Sequence, residues 1–422
     1  MLGSDVEERM AGRGAADGHA PDPALLDRPI PMTPQSRALL RVSAAVAALA
    51  LAGCSYTAPD PTPTESIPTA AASIDNQARQ FIANGAVAAV VRVRWPGGEW
   101  SKAYGVRDLD TKKAAQPDDR LGVASVTKTM TAVTALKLVD DRLIGLDDPV
   151  NDVIPGFTTS LHPPGPITVR QLLNHTSGIP EVNDALPQDP DFRPVLAQEM
   201  TMERELQLAG TLPWTAFSVG EFHYSNTNYA ALGLLVQTLR HRPFAEVLRD
   251  EVIVPLGLSK TSTDRVDIHA ADLLHGYVTL HGERIDLTDN SYNAGLPDSG
   301  AVSTMGDLNT FFAALFQGRL VSAASLAEMK KAPLSRLPYG LGVWMHSDGC
   351  SSGQRYEGRG GFWEYRTVAV VSDDGKYQAA MSLSVKPMAT ELEDSDTSKQ
   401  RDLYSDQVES AVNDALDRLC QQ

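Results

Sequence analysis

Hydrophobic and polar residues alternate near both ends of the chain. In residues 86–95 one side of the segment is apolar, formed by Val87, Ala89, Val91, Val93 and Trp95. A second strand-like run, 99–106, follows two glycines, so this region is predicted to be a β-hairpin. Near the other end, the runs 367–372 and 376–385 flank Asp374 and Gly375. A glycine there accepts the positive φ of a tight turn, which predicts a second hairpin.

Between the hairpins the apolar residues follow helical spacing. One stripe contains Val126, Met130, Val133 and Leu136, and another contains Tyr229, Leu232, Val236 and Leu239. The tail, 401–419, has a third stripe and is predicted to lie across a sheet face. Strands at both ends with helices between them predict an α/β (α+β) fold, in which one antiparallel sheet is built from both ends. We place the sheet part at about 75–124 and 270–422, and an inserted all-helical part at about 125–269.

Composition narrows the function without changing this fold. The 422 residues contain 37 Lys and Arg against 53 Asp and Glu, a net charge of −16, which excludes a protein that binds nucleic acid through its phosphates. With 42% hydrophobic residues the body has a globular composition. No run of about 20 apolar residues occurs, so no membrane-spanning helix is expected.

The segment 32–53 has the layout of a secretory signal. Arg37 and Arg41 precede an apolar run, and small residues precede Cys54. The end of this segment resembles the bacterial lipoprotein box, so we predict lipid on Cys54; the alternative is a short buried helix. A Pro/Thr-rich tether, 54–74, follows. Residues 1–31 do not fit a signal and are predicted to be a non-native or disordered extension. The protein is therefore expected to be an exported lipoprotein of a bacterial cell membrane, facing the cell wall.

Once Cys54 is assigned to lipid, Cys350 and Cys420 remain. Disulfides persist in exported proteins, so we predict a bridge between these two cysteines. By the loop-entropy model such a bridge contributes up to about 4 kcal/mol. Two separate buried thiols are the alternative.

Ser125 and Lys128 are separated by one helical turn at the start of the first amphipathic helix. Positions i and i+3 share a helix face, so the amine can reach the hydroxyl. A serine hydroxyl is a poor nucleophile until a base takes its proton, and a lysine serves as that base when its surroundings lower its pKa. A chain of this length contains about one Ser-x-x-Lys by chance, and the alternative is a helix cap followed by a solvated lysine.

A second candidate group, Tyr224 and Asn226, lies immediately before another amphipathic helix. A phenolate near an ammonium can act as a base toward the serine proton and later as an acid toward a leaving group, and an amide side chain can hold a substrate amide. The alternative is helix capping by Ser225 or Asn226.

The third group is a glycine-rich segment ahead of the second hairpin, formed by Gly358, Arg359, Gly360, Gly361 and Phe362. Glycines in a strand mark close approach of a ligand or another backbone. We expect this strand edge to pass Ser125, so that the N–H groups of Ser125 and Phe362 form an oxyanion hole. A bulge or turn is the alternative. No His-Glu-x-x-His segment occurs, and no metal or cofactor is expected.

In their order, the three groups resemble those of the penicillin-recognising serine hydrolases, which include class C β-lactamases, serine D-alanyl-D-alanine carboxypeptidases and related esterases. The segments 170–180, 224–229 and 303–308 also look like this family. The resemblance implies that Ser125 is acylated, that Lys128 and Tyr224 share proton transfer, and that Asn226 binds the substrate amide. It also implies the β-lactamase/transpeptidase-like fold over 75–422, and a disulfide near the sheet.

Three positions depart from the family pattern. Arg359 stands where the family has Lys or His; it cannot shuttle a proton, but it can hold a carboxylate in bidentate geometry. The segment 339–342 is followed by Val343 and Trp344 instead of the arginine of the carboxypeptidases, and Glu364 lies near the position of a family glycine.

The resulting prediction is a serine hydrolase that acts through an acyl-enzyme on Ser125. Its expected partners are a cell-wall peptide, a β-lactam or an ester, and the membrane through the lipid on Cys54. We expect a monomer. Peptidase or β-lactamase activity is favoured over carboxylesterase activity. The alternative from another class is a non-catalytic surface sensor that keeps the fold and uses the pocket for recognition.

Overall fold

A computed structural model describes residues 69–187, 191–332, 338–347, 353–388 and 395–421. The predicted extension, the signal segment, Cys54 and Cys350 lie outside the described residues, so the lipid anchor and the disulfide stay predictions. In the described part of the chain, no helix combines the length and the apolar character needed to cross a membrane.

A six-stranded antiparallel sheet is the centre of the fold, with strand order β2-β1-β10-β9-β8-β7. Two small sheets accompany it, β3 with β6 and β4 with β5. The strands are β1 Ala88–Trp95, β2 Gly98–Gly105, β3 Leu121–Gly122, β4 Tyr277–Leu280, β5 Glu283–Asp286, β6 Val302–Ser303, β7 Trp344–Ser347, β8 Gln354–Gly361, β9 Tyr365–Ser372 and β10 Gln378–Ser384. Both predicted hairpins are confirmed, as β1–β2 and β9–β10, and the sheet joins the two ends of the chain through β1 and β10.

Twelve α-helices surround this sheet in the described residues. They are α1 Thr69–Ala83, α2 Thr127–Asp140, α3 Phe157–Leu161, α4 Val169–Leu173, α5 Arg193–Leu196, α6 Met202–Ala209, α7 Thr227–Arg240, α8 Phe244–Leu248, α9 Val254–Leu256, α10 Met305–Phe316, α11 Ala323–Met329 and α12 Ser395–Cys420.

Helices α1 and α12 cover one face of the sheet. The predicted stripe of the C-terminal tail is buried, and Val408, Val412, Ala415 and Leu419 pack into a core shared with β1, β9 and β10. The prediction that the tail lies across the sheet is therefore confirmed. Helix α1 was not predicted: residues 69–74, which were assigned to the end of the tether, form its first half.

The opposite face is covered by α10, beyond which α2 and α7 form the centre of the helical region. All residues of α10 between its first residue and Phe316 are buried except Asp307 and Thr310, because this helix lies between the sheet and the rest of the core. Strands β9 and β10 are buried along their whole length. Helices on both faces of an antiparallel sheet give the predicted fold class.

Hydrogen bonds of two threonine side chains fix the start of α2. The Thr127 hydroxyl donates to the Ala124 carbonyl over 2.6 Å and accepts from the Ala301 N–H over 3.1 Å. Two residues later, the Thr129 hydroxyl donates to the Gly342 carbonyl over 2.8 Å. Gly342 has φ of +86°, and a Cβ atom there would lie 2.4 Å from the Ala132 side chain, so only glycine permits this close approach. The N-terminal end of α2 is thus held from two sides.

Candidate active site

Ser125 lies on a 3₁₀ turn, Ala124–Val126, directly before α2. Ala124 has φ of +48°, in the left-handed region that residues other than glycine rarely occupy. Such strain persists only where the surroundings hold it, and it is concentrated at functional sites. The Ser125 side chain is partly exposed and lines a large cavity.

Lys128 is buried, with 2% of its surface exposed. Its amine donates to Ser125 Oγ over 3.0 Å, to Asn226 Oδ1 over 2.6 Å and to the Asp298 carbonyl oxygen over 2.9 Å. The predicted contact between hydroxyl and amine is therefore present. An ammonium group has three N–H donors, and all three are used here.

The surroundings of Lys128 raise its pKa. Burial lowers this pKa, but the nearby Tyr224 phenol and the Asp298 and Glu181 carboxylates raise it by more. The condition under which Lys128 alone serves as the base, a lowered pKa, is therefore not met, because these groups, from segments far apart in the sequence, favour the ammonium. At neutral pH the side chain is an ammonium.

Tyr224 is placed beside the amine. Its ring centroid lies 5.1 Å from Lys128 Nζ, and its side chain remains partly open to solvent. Behind it lies His175, whose ring centroid is 4.3 Å from that of Tyr224. Burial and the Lys128 charge lower the pKa of His175 well below its usual range, so this imidazole is neutral. The segment before Tyr224 is attached to the same residue, since the His223 N–H donates to the His175 carbonyl over 2.8 Å.

Asn226 connects Lys128 to a carboxylate that sequence reasoning missed. Its Oδ1 accepts from Lys128, while its Nδ2 donates to Glu181 Oε1 over 2.8 Å and its backbone N–H donates to Glu181 Oε2 over 2.5 Å. Glu181 also caps the short turn Val182–Ala185 by accepting from the Asn183 N–H. The amide of Asn226 is therefore fixed in orientation, with one of its two Nδ2 hydrogens committed to Glu181.

The glycine-rich strand edge passes Ser125 as predicted. A Cβ atom on Gly360 would lie 2.0 Å from the Val123 carbonyl oxygen and 3.1 Å from Ser125 N, so the backbone of β8 touches the 3₁₀ turn there. Pairing with β7 ends at Glu357, which leaves this part of the β8 edge without a partner strand in the described residues.

The predicted oxyanion donor Phe362 is wrong. Its N–H donates to the Tyr365 carbonyl over 3.0 Å, closing the tight turn between β8 and β9. Successive N–H groups along a strand point to alternate edges. The N–H of Gly361 therefore points away from β9, toward the edge that passes Ser125. The ring of Phe362 contacts the site instead, since it packs at Gly122 and lines the cavity.

Binding of a substrate would require the Arg359 side chain to point toward Ser125, and it does not. Its guanidinium contacts Glu357, lies 2.7 Å from Glu409 of α12 and 2.7 Å from His346 Nε2, and stacks 4.9 Å over the Trp344 ring. Side chains alternate along a strand, so Arg359 points toward α12 while Gly358 and Gly360 face the 3₁₀ turn and α10. The prediction that Arg359 holds a substrate carboxylate was wrong for this reason.

The side chains around Arg359 leave no place for a metal ion. His346, Glu357 and Glu409 bring three possible ligand atoms within 4.8 Å of one another. The guanidinium of Arg359 contacts all three, so the place of a cation is taken by a side chain of the protein.

The cavity beside Ser125 has a volume of about 900 Å³. Four acidic side chains line it and one basic side chain, Arg366, does so among the described residues; the acids are Glu205, Asp289, Asp298 and Glu364. Burial raises the pKa of Glu364 to about 8. Sequence reasoning missed Glu205, although a charged residue at a position that shares the apolar side of α6 with Leu206 and Ala209 is a signal that could have found it.

Comparison with known proteins agrees with this geometry. The family model "Beta-lactamase" matches residues 74–400. Penicillin-binding protein 4* of Bacillus subtilis (strain 168) is 26% identical over 320 residues, which are 70% of this chain and 68% of that protein. A D-stereospecific amidohydrolase from Streptomyces sp. is 27% identical, with a TM-score of 0.64, 78% of this chain covered and 97% of that one.

A D-amino acid amidase from Ochrobactrum anthropi SV3, in complex with D-phenylalanine, has a TM-score of 0.68 at 20% identity, with 84% of this chain covered and 100% of that one. This last similarity concerns the fold alone. The family match extends over more than half of the chain. It includes every residue of the site described above except Glu409 of α12. The predicted family is confirmed: the chain belongs to the beta-lactamase family of serine hydrolases.

Proposed function

We propose that the protein hydrolyses amide or ester bonds through an acyl-enzyme on Ser125. The observation that carries the proposal is the 3.0 Å hydrogen bond from Lys128 to Ser125 Oγ at the edge of a large cavity. A hydroxyl placed beside a buried ammonium and a phenol has the groups that nucleophilic catalysis needs.

In the first step, Ser125 Oγ attacks the substrate carbonyl carbon and its proton passes to the Lys128–Tyr224 pair. Because Lys128 is already an ammonium, the proposed acceptor is Tyr224 in its phenolate form, which becomes a phenol on taking the proton, and the Lys128 charge stabilises both the phenolate and the developing alkoxide. Strongly coupled groups titrate together, so the proton belongs to the pair. The pair then protonates the leaving amine or alcohol as the bond to carbon breaks.

In the second step, water attacks the acyl-enzyme. Its proton goes to the same pair, the acid leaves, and Ser125 recovers its hydrogen. The oxyanion of both steps is proposed to accept from the N–H groups of Ser125 and Gly361. Removing one such donor typically costs about 2.7–4 kcal/mol of barrier.

Asn226 has the proposed role of binding the substrate amide through its second Nδ2 hydrogen, while Glu181 holds the side chain in place. This role is a proposal from the resemblance, supported by the position of Asn226 on the same amine as Ser125.

A narrower form of the proposal is a D-alanyl-D-alanine carboxypeptidase or class C β-lactamase. The similarity to penicillin-binding protein 4* supports it. Substrates of both enzymes carry a carboxylate, and Arg359, the predicted carboxylate ligand, points away from Ser125 toward α12. The wider proposal, an amide or ester hydrolase, therefore fits the site better.

The test is a panel of a D-Ala-D-Ala peptide, a chromogenic β-lactam, a short-chain ester and an amino-acid amide, run on the parent and on Ser125→Ala. Turnover of the ester or amide that is lost in Ser125→Ala supports the proposal. Rapid release of D-alanine or hydrolysis of the β-lactam supports the narrower form. No turnover and no covalent adduct with any of the four supports a non-catalytic surface sensor.

Export also remains a proposal. We propose that the catalytic part is attached to the membrane through lipid on Cys54 and acts as a monomer. N-terminal mass spectrometry of the mature protein tests this placement, since the proposal requires a lipid-modified Cys54 as the first residue. Light scattering of the soluble part tests the monomer.

A further inference from the structure

Two buried carboxyl groups that line the cavity each have an oxygen without a hydrogen-bond partner among the described residues. They are Glu205 Oε2, on α6, and Asp298 Oδ1, in the loop before β6; the two residues are 3% and 5% exposed. Most buried polar atoms in native proteins are paired, and an unpaired one costs about 1–3 kcal/mol. These two unpaired oxygens indicate that a bound ligand, and not the folded chain, supplies their hydrogen-bond donor.

Lys128 does not supply this donor. It uses its three N–H groups on Ser125, Asn226 and the backbone carbonyl of Asp298, so it has none for these two oxygens. Arg366, the basic side chain that lines the cavity, directs its Nη1 to the carbonyls of Phe362 and Tyr365. The acidic lining thus exceeds the basic lining, and part of it faces space that a ligand can fill.

The charges agree with this picture. Burial raises the pKa of Glu205 well above its usual range, and the Asp298 and Glu181 carboxylates raise it further. Burial also raises the pKa of Asp298, more than Lys128 lowers it. A cation bound in the cavity would favour the ionised form of both carboxyl groups.

We propose that Glu205 and Asp298 form a subsite for a primary ammonium group of the substrate. This inference rests on the proposed function, and it narrows the substrate class to amides, esters or short peptides with a free amino group near the scissile bond. Proximity supports the last point, because the Asp298 carbonyl and the Ser125 hydroxyl accept from the same Lys128 nitrogen. Tyr292 lines the same cavity, and an aromatic ring can attract a cation.

The test compares phenylalanine p-nitroanilide with its N-acetyl derivative, each as the D and the L enantiomer. For the parent, kcat/KM is expected to be at least tenfold higher for the free amine in one enantiomeric series. In Glu205→Gln and in Asp298→Asn this ratio is expected to fall about tenfold. Both substitutions keep the side-chain shape. A merely structural effect would lower kcat/KM equally for both substrates and leave the ratio unchanged.

Glu203→Gln is the matched control, because Glu203 is exposed on the same helix and does not line the cavity; its ratio should equal that of the parent. A second measurement covers a variant that fails to fold. In the parent, benzylamine is expected to inhibit hydrolysis of p-nitrophenyl acetate at least tenfold more strongly than benzyl alcohol, which has the same shape without the charge.

The outcomes separate the two proposals. A parent that hydrolyses p-nitrophenyl acetate at Ser125 but shows a free-amine to N-acetyl ratio near one, with benzylamine no better than benzyl alcohol, overturns the ammonium subsite alone. An unchanged ratio in folded Glu205→Gln and Asp298→Asn overturns it as well. A parent that hydrolyses no ester or amide and forms no adduct at Ser125 overturns the proposed function, and the subsite with it.

Discussion

Strand β8 presents two different faces a few residues from the proposed nucleophile. On the face toward α12, Glu357 and Arg359 form an ion pair that His346 and Glu409 extend. On the face toward Ser125 the strand has Gly358 and Gly360, and only backbone lies against the 3₁₀ turn. The first face holds the sheet to a helix through paired charges, and the second lets the strand backbone pack directly against the turn that carries Ser125.

Two buried glutamates show the same contrast. Burial raises the pKa of Glu357, but His346 and Arg359 lower it by more, so this carboxylate stays charged. Glu364 lines the cavity, and there burial outweighs the Arg366 charge and raises its pKa to about 8. Charges that hold the fold are matched within the protein, whereas carboxyls of the cavity are incompletely matched, which is typical of functional sites.

The largest expected effect is that of Arg359→Ala, which removes the ion pairs on the face of β8 toward α12. It leaves Glu357 buried without its guanidinium partner, so the free energy of unfolding is expected to fall by about 3–5 kcal/mol. Activity of the folded protein should stay within about threefold of the parent, since Arg359 does not face Ser125. Denaturant titration and kcat/KM measure the two quantities.

Lys376→Ala is the control for Arg359→Ala, because its ion pair with Asp374 is solvent-exposed and should contribute less than about 1 kcal/mol. Adding Glu357→Gln to Arg359→Ala should restore part of the lost stability. A large loss of kcat/KM with unchanged stability would instead return Arg359 to the substrate site.

Glu364→Gln tests the incompletely matched carboxyl groups of the cavity through the pH dependence of stability. The folded-state pKa of about 8 lies above the ordinary value of 4.5, so between these pH values the unfolded chain has released a proton that the folded chain keeps. Stability from this group is therefore lost as pH rises. Between pH 5.5 and pH 8 the unfolding free energy of the parent should fall by about 3 kcal/mol more than that of the variant.

Denaturant titrations at the two pH values measure the difference. Glu283→Gln, an exposed control in β5, should follow the parent. If parent and Glu364→Gln had the same pH dependence, Glu364 would be ionised in the cavity and the contrast between the two glutamates would be lost.

Gly360→Ala tests the contact between β8 and the 3₁₀ turn. The new methyl would lie 2.0 Å from the Val123 carbonyl oxygen, so the strand edge and Ser125 must separate. We expect a loss of about 1–3 kcal/mol in stability and about 100-fold in kcat/KM. Gly361→Ala is the matched variant: its Cβ atom would be 3.4 Å from the Arg366 side chain, so its cost in stability should be below about 1 kcal/mol. Equal effects of the two substitutions would contradict the close approach at Gly360.

The smallest expected effect is that of Glu181→Gln. The variant keeps one acceptor for Asn226 and loses the second together with the charge, so Asn226 and Lys128 are held less firmly. We expect kcat to fall about tenfold with KM nearly unchanged, as a positioning residue predicts. Glu199→Gln, an exposed control, should match the parent. A change in KM alone would mean that Glu181 contacts the substrate.

Local sequence patterns were sufficient to predict those features that lie within one segment of the chain. The spacing of Ser125 and Lys128 placed them on one face at a helix start, and alternation predicted both hairpins. The face of Arg359 depends on the register of β8 between β7 and β9, which motif spacing does not determine. The Phe362 N–H was misassigned because the two-residue turn to Tyr365 uses it.

Charge was harder still to predict. Lys128 keeps a raised pKa because groups from three separate segments lie near it, at Tyr224, Asp298 and Glu181. Their positions in the sequence give no sign of this, because only the folding of these segments around α2 brings them together.

The most direct test is acid-quenched mass spectrometry of the protein during hydrolysis of p-nitrophenyl acetate, followed by peptide mapping. An acetyl group on the peptide that contains Ser125, present in the parent and absent in Ser125→Ala, is the predicted result. Turnover at the parental rate by Ser125→Ala, or an acetyl group on another residue during turnover, would contradict the account.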